Sequence, residues 1–146
     1  MPFEQLLNNI KAIRSNLPDI FTEALLSNEK EITDANRENL MAGELSTGKG
    51  ITPLYAESTQ KRKGQANPNL FDTGGFHASL FVSETNRPGE LVVASDEIRD
   101  GKPLALELEE TYSSDIYGIK DEQLDEIFEG STGDKIIKKI EDGITI

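Results

Sequence analysis

The sequence predicts a single α+β domain: an N-terminal helix, kinked or split in two, packs on a small antiparallel sheet and is followed by short C-terminal helices. Three observations predict this class. Apolar residues recur at helical spacing in residues 1–43, alternate as in strands in residues 76–95, and form short helical patterns in residues 96–146. A chain of 146 residues supports one core, since a polypeptide of this size buries roughly two thirds of its unfolded surface.

The N-terminal segment has the pattern of an amphipathic helix. A stripe with three-and-four spacing begins at Phe3 and Leu7 and continues beyond residue 20, so we expect a helix whose apolar face covers the core. Pro18 lacks a backbone donor and disfavours helical geometry at the residue before it. A kink, or a second helix capped by Asn16, is therefore predicted at this point.

Residues 44–75 contain several glycines and prolines and few aliphatic residues, which predicts a long loop or an extended arm. Loops of this length in small domains are usually functional or ordered by a partner. The segment carries the only run of three basic residues, Lys61, Arg62 and Lys63, and it ends near a Thr73-Gly74 step. Glycine tolerates backbone angles that other residues avoid, so a sharp turn is expected there.

Residues 76–95 have the pattern of a β-hairpin. Apolar and polar side chains alternate from Phe76 to Val82, the turn sequence NRPG follows at 86–89, and the alternation resumes in ELVVAS at 90–95. This pattern predicts two short antiparallel strands.

The acidic segment 96–146 is predicted to form short helices. The leucines of residues 102–110 fit either a strand or a helix, and a helix is favoured. Two further amphipathic helices are indicated by the apolar residues Leu124, Ile127 and Phe128, and by Ile136, Ile137 and Ile140.

Charge is unevenly distributed along the chain, whose net charge is −12. Residues 88–146 hold 16 Asp and Glu against 6 Lys and Arg, whereas residues 44–87 hold 4 against 5. Affinity for nucleic acid depends on clustered cations that release counterions from phosphates, so specific nucleic-acid binding is not expected. The basic and acidic segments are instead suited to contacts between copies of the chain.

The chain has no Cys, which excludes disulfides and thiolate metal sites. Its apolar runs are far shorter than the roughly 20 residues that cross a bilayer. The opening MPFEQLLNNI lacks the features of a signal peptide, so synthesis in the cytoplasm and no membrane partner are expected.

Three groups of charged residues have compositions found in catalytic or ligand-binding sites, but structural roles explain them better. The sequence KRKG at 61–64 lacks the upstream Gly and the following Ser or Thr of a phosphate-binding loop. A metal-dependent nuclease using Asp72, His77 and nearby carboxylates is an alternative, but a capped turn and a partly exposed strand residue explain Asp72 and His77 better. The carboxylates of ELEE at 107–110 and DEQLDE at 121–126 fit solvated helix faces. We expect no enzymatic activity, metal or cofactor.

Part of the sequence resembles a known family. The features that carry the resemblance are Asn39-Leu40, Gly43, Pro53, Tyr55, Thr59, Lys61, Lys63-Gly64, Leu70, Thr73-Gly74, Phe76 and Ser79, with Tyr117-Gly118 further on. In these features the chain is similar to the virion morphogenesis and tail-completion proteins of tailed phages, which are small components of the head-to-tail joint.

The resemblance implies an α+β subunit without enzymatic activity that forms a ring at the neck or tail of a virion, through contacts with itself and with other neck or tail proteins. DNA would pass through such a ring without specific binding. The candidate subunit interface consists of Lys61, Arg62, Lys63, Phe71, Thr73 and Gly74. An acidic protein-binding module, such as an inhibitor or a DNA mimic, is the alternative.

Overall fold

The computed structural model describes residues 2–144 and confirms the α+β class. The helices are α1 (Pro2–Leu26), α2 (Glu29–Met41), α3 (Glu57–Lys63), α4 (Gly75–Ala78), α5 (Leu104–Thr111), α6 (Asp121–Ile127) and α7 (Gly133–Ile144). The strands are β1 (Leu80–Glu84), β2 (Leu91–Ser95), β3 (Ile98–Arg99) and β4 (Lys102–Pro103). A 3-10 turn at Ser114–Ile116 and a π turn at Phe128–Thr132 complete the regular structure. In residues 2–144 no helix has the length and apolarity to cross a membrane.

Helix α1 runs without interruption through Pro18, so the predicted restart with a cap at Asn16 is wrong. The chain turns later, between α1 and α2. Helix α7 packs antiparallel along α1, with Lys135 Nζ 2.8 Å from Ser27 Oγ and Gly143 close to the Ile13 side chain. This packing extends to both sides of the proline, and the helix continues through it although one backbone hydrogen bond is lost.

The core lies where α2 meets the β1–β2 hairpin, and α6 closes it on another side. Its fully buried apolar side chains include Leu40, Ile51 and Ile116. Helix α2 also buries polar residues. Asn36 accepts a hydrogen bond from the Gly118 backbone N at 2.8 Å and donates to the Ile116 carbonyl at 2.9 Å, so it ties the loop before α6 to the core.

The hairpin prediction is confirmed, with a later start. Strands β1 and β2 are antiparallel and pair Val82 with Val93. The predicted first strand began at Phe76, but residues 75–78 form the one-turn helix α4. Gly74, with φ +88°, reverses the chain just before this turn, so Phe76 and His77 both point inward rather than to opposite faces. Residues 104–111 are helical, as favoured.

The segment 44–75 is neither a loop throughout nor an extended arm. It contains α3 and folds back onto its own subunit: the Tyr55 backbone N donates to the Ala66 carbonyl at 2.9 Å. A Cβ on Gly43 would lie 2.6 Å from the Cβ of Asn67, so close contact between this segment and the end of α2 requires glycine. Helix α3 buries none of its residues, which explains why no apolar pattern predicted it.

Candidate subunit interface

Helix α3 presents part of the basic triplet to solvent. The Lys61 side chain is 78% exposed, and its Nζ lies 3.6 Å from Oε1 of Glu57, one turn earlier. Arg62 is exposed and forms no ion pair within the part of the chain that the structure describes. Three cations at the C-terminal end of a helix also interact favourably with its dipole. Lys61 and Arg62 are therefore free to contact a neighbouring molecule.

Lys63 is used inside the subunit. Its Nζ donates to Tyr55 Oη at 3.1 Å, to Asn69 Oδ1 at 3.0 Å and to the Phe71 carbonyl, and it lies 5.0 Å from the centre of the Tyr55 ring. Tyr55 Oη in turn bonds Asn69 Oδ1 at 3.0 Å and accepts from the Asn69 backbone N at 3.0 Å. This lysine cluster of Tyr55, Lys63, Asn69 and Phe71 closes the loop. Because these charge-assisted bonds engage the ammonium inside the subunit, contact of Lys63 with another subunit stays a prediction.

His77 adjoins the lysine cluster and is only 5% exposed, so its predicted place as a partly exposed strand residue is wrong. Its Nε2 lies 2.8 Å from the Asn69 carbonyl oxygen and must therefore donate a proton to it. Burial lowers the pKa of His77, and the nearby charges of Arg37 and Lys63 act in the same direction. The imidazole is held neutral as a structural donor.

The turn at 71–74 covers His77. The Phe71 ring meets the imidazole edge-on at 5.2 Å and stays 41% exposed. Gly74 has φ +88°, and a Cβ there would lie 3.2 Å from the Phe71 ring. Thr73 Oγ1 accepts from the Gly75 backbone N at 3.4 Å. Contact of Phe71, Thr73 or Gly74 with another subunit stays a prediction.

The residues of the nuclease alternative are not assembled into a site. Asp72 is 80% exposed and its Oδ2 lies 4.0 Å from Arg99, whereas His77 is buried and bonded to backbone. Residues 2–144 contain no group of three or more His, Cys, Asp or Glu side chains placed to hold a metal ion.

A second surface, which we call the β2 groove, was not predicted. It is an apolar groove of about 770 Å³ that runs along β2. Its lining includes Leu25 of α1 and Ile32 of α2, together with Tyr117, Ile119 and Leu124 in and before α6. The carboxylates of Glu90 and Glu109 also line it.

The β2 groove follows a free sheet edge. The Val82 backbone N donates to Glu29 Oε2 at 3.0 Å, so the outer edge of β1 is covered by the start of α2. Because the Val82 N–H points away from β2, the Val82–Val93 pair is a non-hydrogen-bonded one, and the N–H and C=O of Val93 point outward. β2 has β1 as its only strand partner in residues 2–144. Unpaired edges of this kind attract other chains.

One buried polar atom lies beside the groove. The Tyr117 Oη is buried and has no hydrogen-bond partner in residues 2–144. Burial, followed by the charge of Glu109, raises the pKa of Tyr117 to about 12. The phenol therefore keeps its proton and offers a donor without an acceptor.

A third surface is the N-terminal overhang, residues 2–12 of α1. Gly143, near the end of α7, lies beside Ile13, and the part of α1 before Ile13 carries exposed apolar side chains. Phe3 is 73% exposed, Leu7 40% and Ile10 48%. The spacing of these residues predicted a face that covers the core, and this part of the prediction is wrong because the three side chains stay exposed among residues 2–144. Exposed apolar stripes on soluble chains indicate contact sites.

Comparisons with known proteins give no family for the chain: it matches no protein-family model, no curated protein and no solved structure at a significant level.

Proposed function

We propose that this chain is a structural assembly protein of a tailed-phage virion, which acts in head-to-tail joining or tail completion by forming a ring of identical subunits. The observation that carries the proposal is the exposed apolar face of the N-terminal overhang, at Phe3, Leu7 and Ile10. Fully burying one such side chain is worth roughly 1.5–3 kcal/mol. Leaving three exposed on one helix face is therefore costly for a chain that works alone.

The choice of a phage component depends on the residues that resemble the tail-completion family. Several of these residues have structural roles. The bond between Lys63 and Tyr55 closes the long loop. Gly43 leaves room for the loop to pack against the end of α2, and Gly74 reverses the chain before the hairpin. A family whose motif maintains a fold, with no reacting groups, fits a building block of a particle. The proposal includes no catalytic step, metal or cofactor.

The two surfaces that would meet in the ring carry opposite charges. Lys61 and Arg62 lie at one exposed helix end, while residues 88–146 carry a net charge of −10. Contact between different surfaces on successive copies is heterologous, and such contacts form closed rings when the rotation between copies allows closure. Complementary charges set the register and raise the association rate more than they add affinity. The ammonium of Lys63 is bonded internally, so the proposed contact relies on Lys61 and Arg62.

The acidic surface also suits a channel through which DNA slides. Like charges disfavour condensation of duplex on the channel wall. Other neck or tail proteins of the virion would be the remaining partners, and the virion would be the place where the protein acts.

The experiment is sedimentation velocity at low and moderate salt. Wild type is expected to form one defined oligomer, and the double variant Lys61→Glu/Arg62→Glu should form smaller species at modest salt with unchanged circular dichroism. The control, Lys49→Glu/Lys138→Glu, has the same charge change at two exposed lysines outside α3. It should keep the wild-type size.

Two outcomes would contradict the proposal. Equal loss of assembly in both double variants would assign the effect to net charge rather than to α3. A wild-type chain that stays monomeric but binds basic proteins would favour the acidic binding module.

A further inference from the structure

We infer that the β2 groove receives the N-terminal overhang of a second copy of this chain, so that each subunit donates one helix and accepts another. The inference rests on the proposed self-assembly and names the two surfaces that would carry it.

The two surfaces match in chemistry. The β2 groove is lined mainly by aliphatic side chains such as Leu25, Val93 and Ile119. The overhang presents Phe3, Leu7 and Ile10 at positions i, i+4 and i+7, the spacing with which an amphipathic helix fills an apolar groove. A groove of about 770 Å³ has room for several side chains of this size.

Charges on the two surfaces are complementary. Lys11 and Arg14 continue the overhang's stripe by one turn, and neither forms an ion pair within residues 2–144. Glu90 and Glu109 line the groove, and Glu90 also forms an exposed ion pair with Arg87 at 3.7 Å. A helix that enters with its apolar turns in the groove brings its cations toward these carboxylates, and opposite charges of this kind fix the register of an interface.

Helix length makes the contact intermolecular. Leu25 lies in the groove wall, and Phe3 belongs to the same unbroken helix, 22 residues earlier. At 1.5 Å per residue the two positions are about 33 Å apart, so the overhang cannot fold into its own groove. Because the donating and accepting surfaces differ, every bound subunit leaves one of each free, which is the requirement for a ring or a chain of subunits.

Docking would also cover the exposed features of the groove. The free edge of β2 would be shielded, as sheet edges are when a helix lies over them.

Site-specific cross-linking tests the inference directly, because the chain has no native Cys. One full-length chain carries Glu4→Cys, on an exposed position of the overhang that leaves the apolar stripe intact. The other carries Val92→Cys, a groove residue that is 44% exposed. The two are mixed with a short bismaleimide, and mass spectrometry identifies the linked residues. The control partner is Ile137→Cys, on α7 outside both surfaces and 55% exposed.

We expect the link between residues 4 and 92 to form at least tenfold more than the link between 4 and 137. Adding Leu7→Glu to the Glu4→Cys chain should reduce it to the control level. A 4–92 link no stronger than the control overturns the inference. If wild type still sediments as an oligomer, self-assembly stands and uses other surfaces; if it is monomeric as well, the proposed function fails too. A strong 4–92 link in a chain that sediments as a monomer supports the inference as a weak contact.

Discussion

Lys61 and Lys63 lie two residues apart on the same helix, and we predict that they respond very differently to the same substitution. Lys63→Met removes an ammonium that donates to Tyr55 Oη, Asn69 Oδ1 and the Phe71 carbonyl, while the methionine keeps the aliphatic stem. Lys61→Met removes an ammonium that is 78% exposed and meets only Glu57, at 3.6 Å.

The expected magnitudes follow from these contacts. A hydrogen bond from a charged donor contributes roughly 1.5–3 kcal/mol when buried. The lysine cluster is partly open to water at Phe71, so for all three bonds of Lys63 we expect a loss of about 2 kcal/mol. An exposed ion pair one helical turn apart contributes at most about 0.5 kcal/mol, so Lys61→Met should be nearly neutral. For a chain of this size about 2 kcal/mol lowers the Tm by roughly 4–8 °C.

Urea unfolding followed by far-UV circular dichroism measures both variants, with calorimetry for the Tm. For Lys63→Met the urea concentration at the unfolding midpoint should fall, while the dependence of the unfolding free energy on urea stays unchanged. For Lys61→Met the midpoint should stay at the wild-type value. Equal and small effects of the two substitutions would show that the bonds of the lysine cluster do not stabilise the fold. That result would favour the outward arm that the sequence predicted.

Four further predictions concern pH, buried groups and DNA. Burial lowers the pKa of His77 below 6.5, so the unfolded chain binds more protons than the folded one, and the free energy of unfolding should fall as the pH drops from about 7 to about 5.5. Because His77 is the single histidine, the change can be assigned to it, and His77→Gln should make the free energy of unfolding less dependent on pH in this range. Tyr117→Phe removes a buried hydroxyl without a partner and should raise the free energy of unfolding by about 1 kcal/mol, whereas a loss would mean that the hydroxyl is bonded. Gly74→Ala adds left-handed strain of about 1–2 kcal/mol and a tight contact with the Phe71 ring, which must shift slightly. Gly48→Ala, at a similar φ in open space, should cost the strain alone, and chemical denaturation of both variants measures the difference. Duplex DNA should not bind measurably at physiological salt in fluorescence anisotropy, and measurable affinity would contradict the proposed channel.

The sequence predicted elements whose patterns depend on local periodicity. The alternation around Val82 and Val93 located the hairpin, and the helical stripe located α1. Pro18 misled because the cost of a proline depends on what packs around it, and α7 comes from more than 100 residues away in the chain. No local pattern contains that information.

The candidate site was predicted only in part. Lys61 and Lys63 are equivalent in the sequence, yet one points to solvent and the other is bonded to Asn69, because α3 turns successive residues in different directions. His77 became buried because Gly74 starts a helical turn where alternation suggested a strand. The β2 groove has no linear signature, since its walls come from segments that are distant in the chain.

Mixing two assembly-deficient variants tests the central claim most directly. Leu7→Glu/Ile10→Glu disables the donated helix but keeps the groove, and Val92→Glu disables the groove but keeps the helix. In sedimentation velocity each variant alone should run as a monomer of about 16.1 kDa, and the equimolar mixture should give a dimer of twice that mass. A mixture that stays monomeric, or a single variant that keeps the wild-type oligomer, would contradict docking of one copy's helix in the groove of the next.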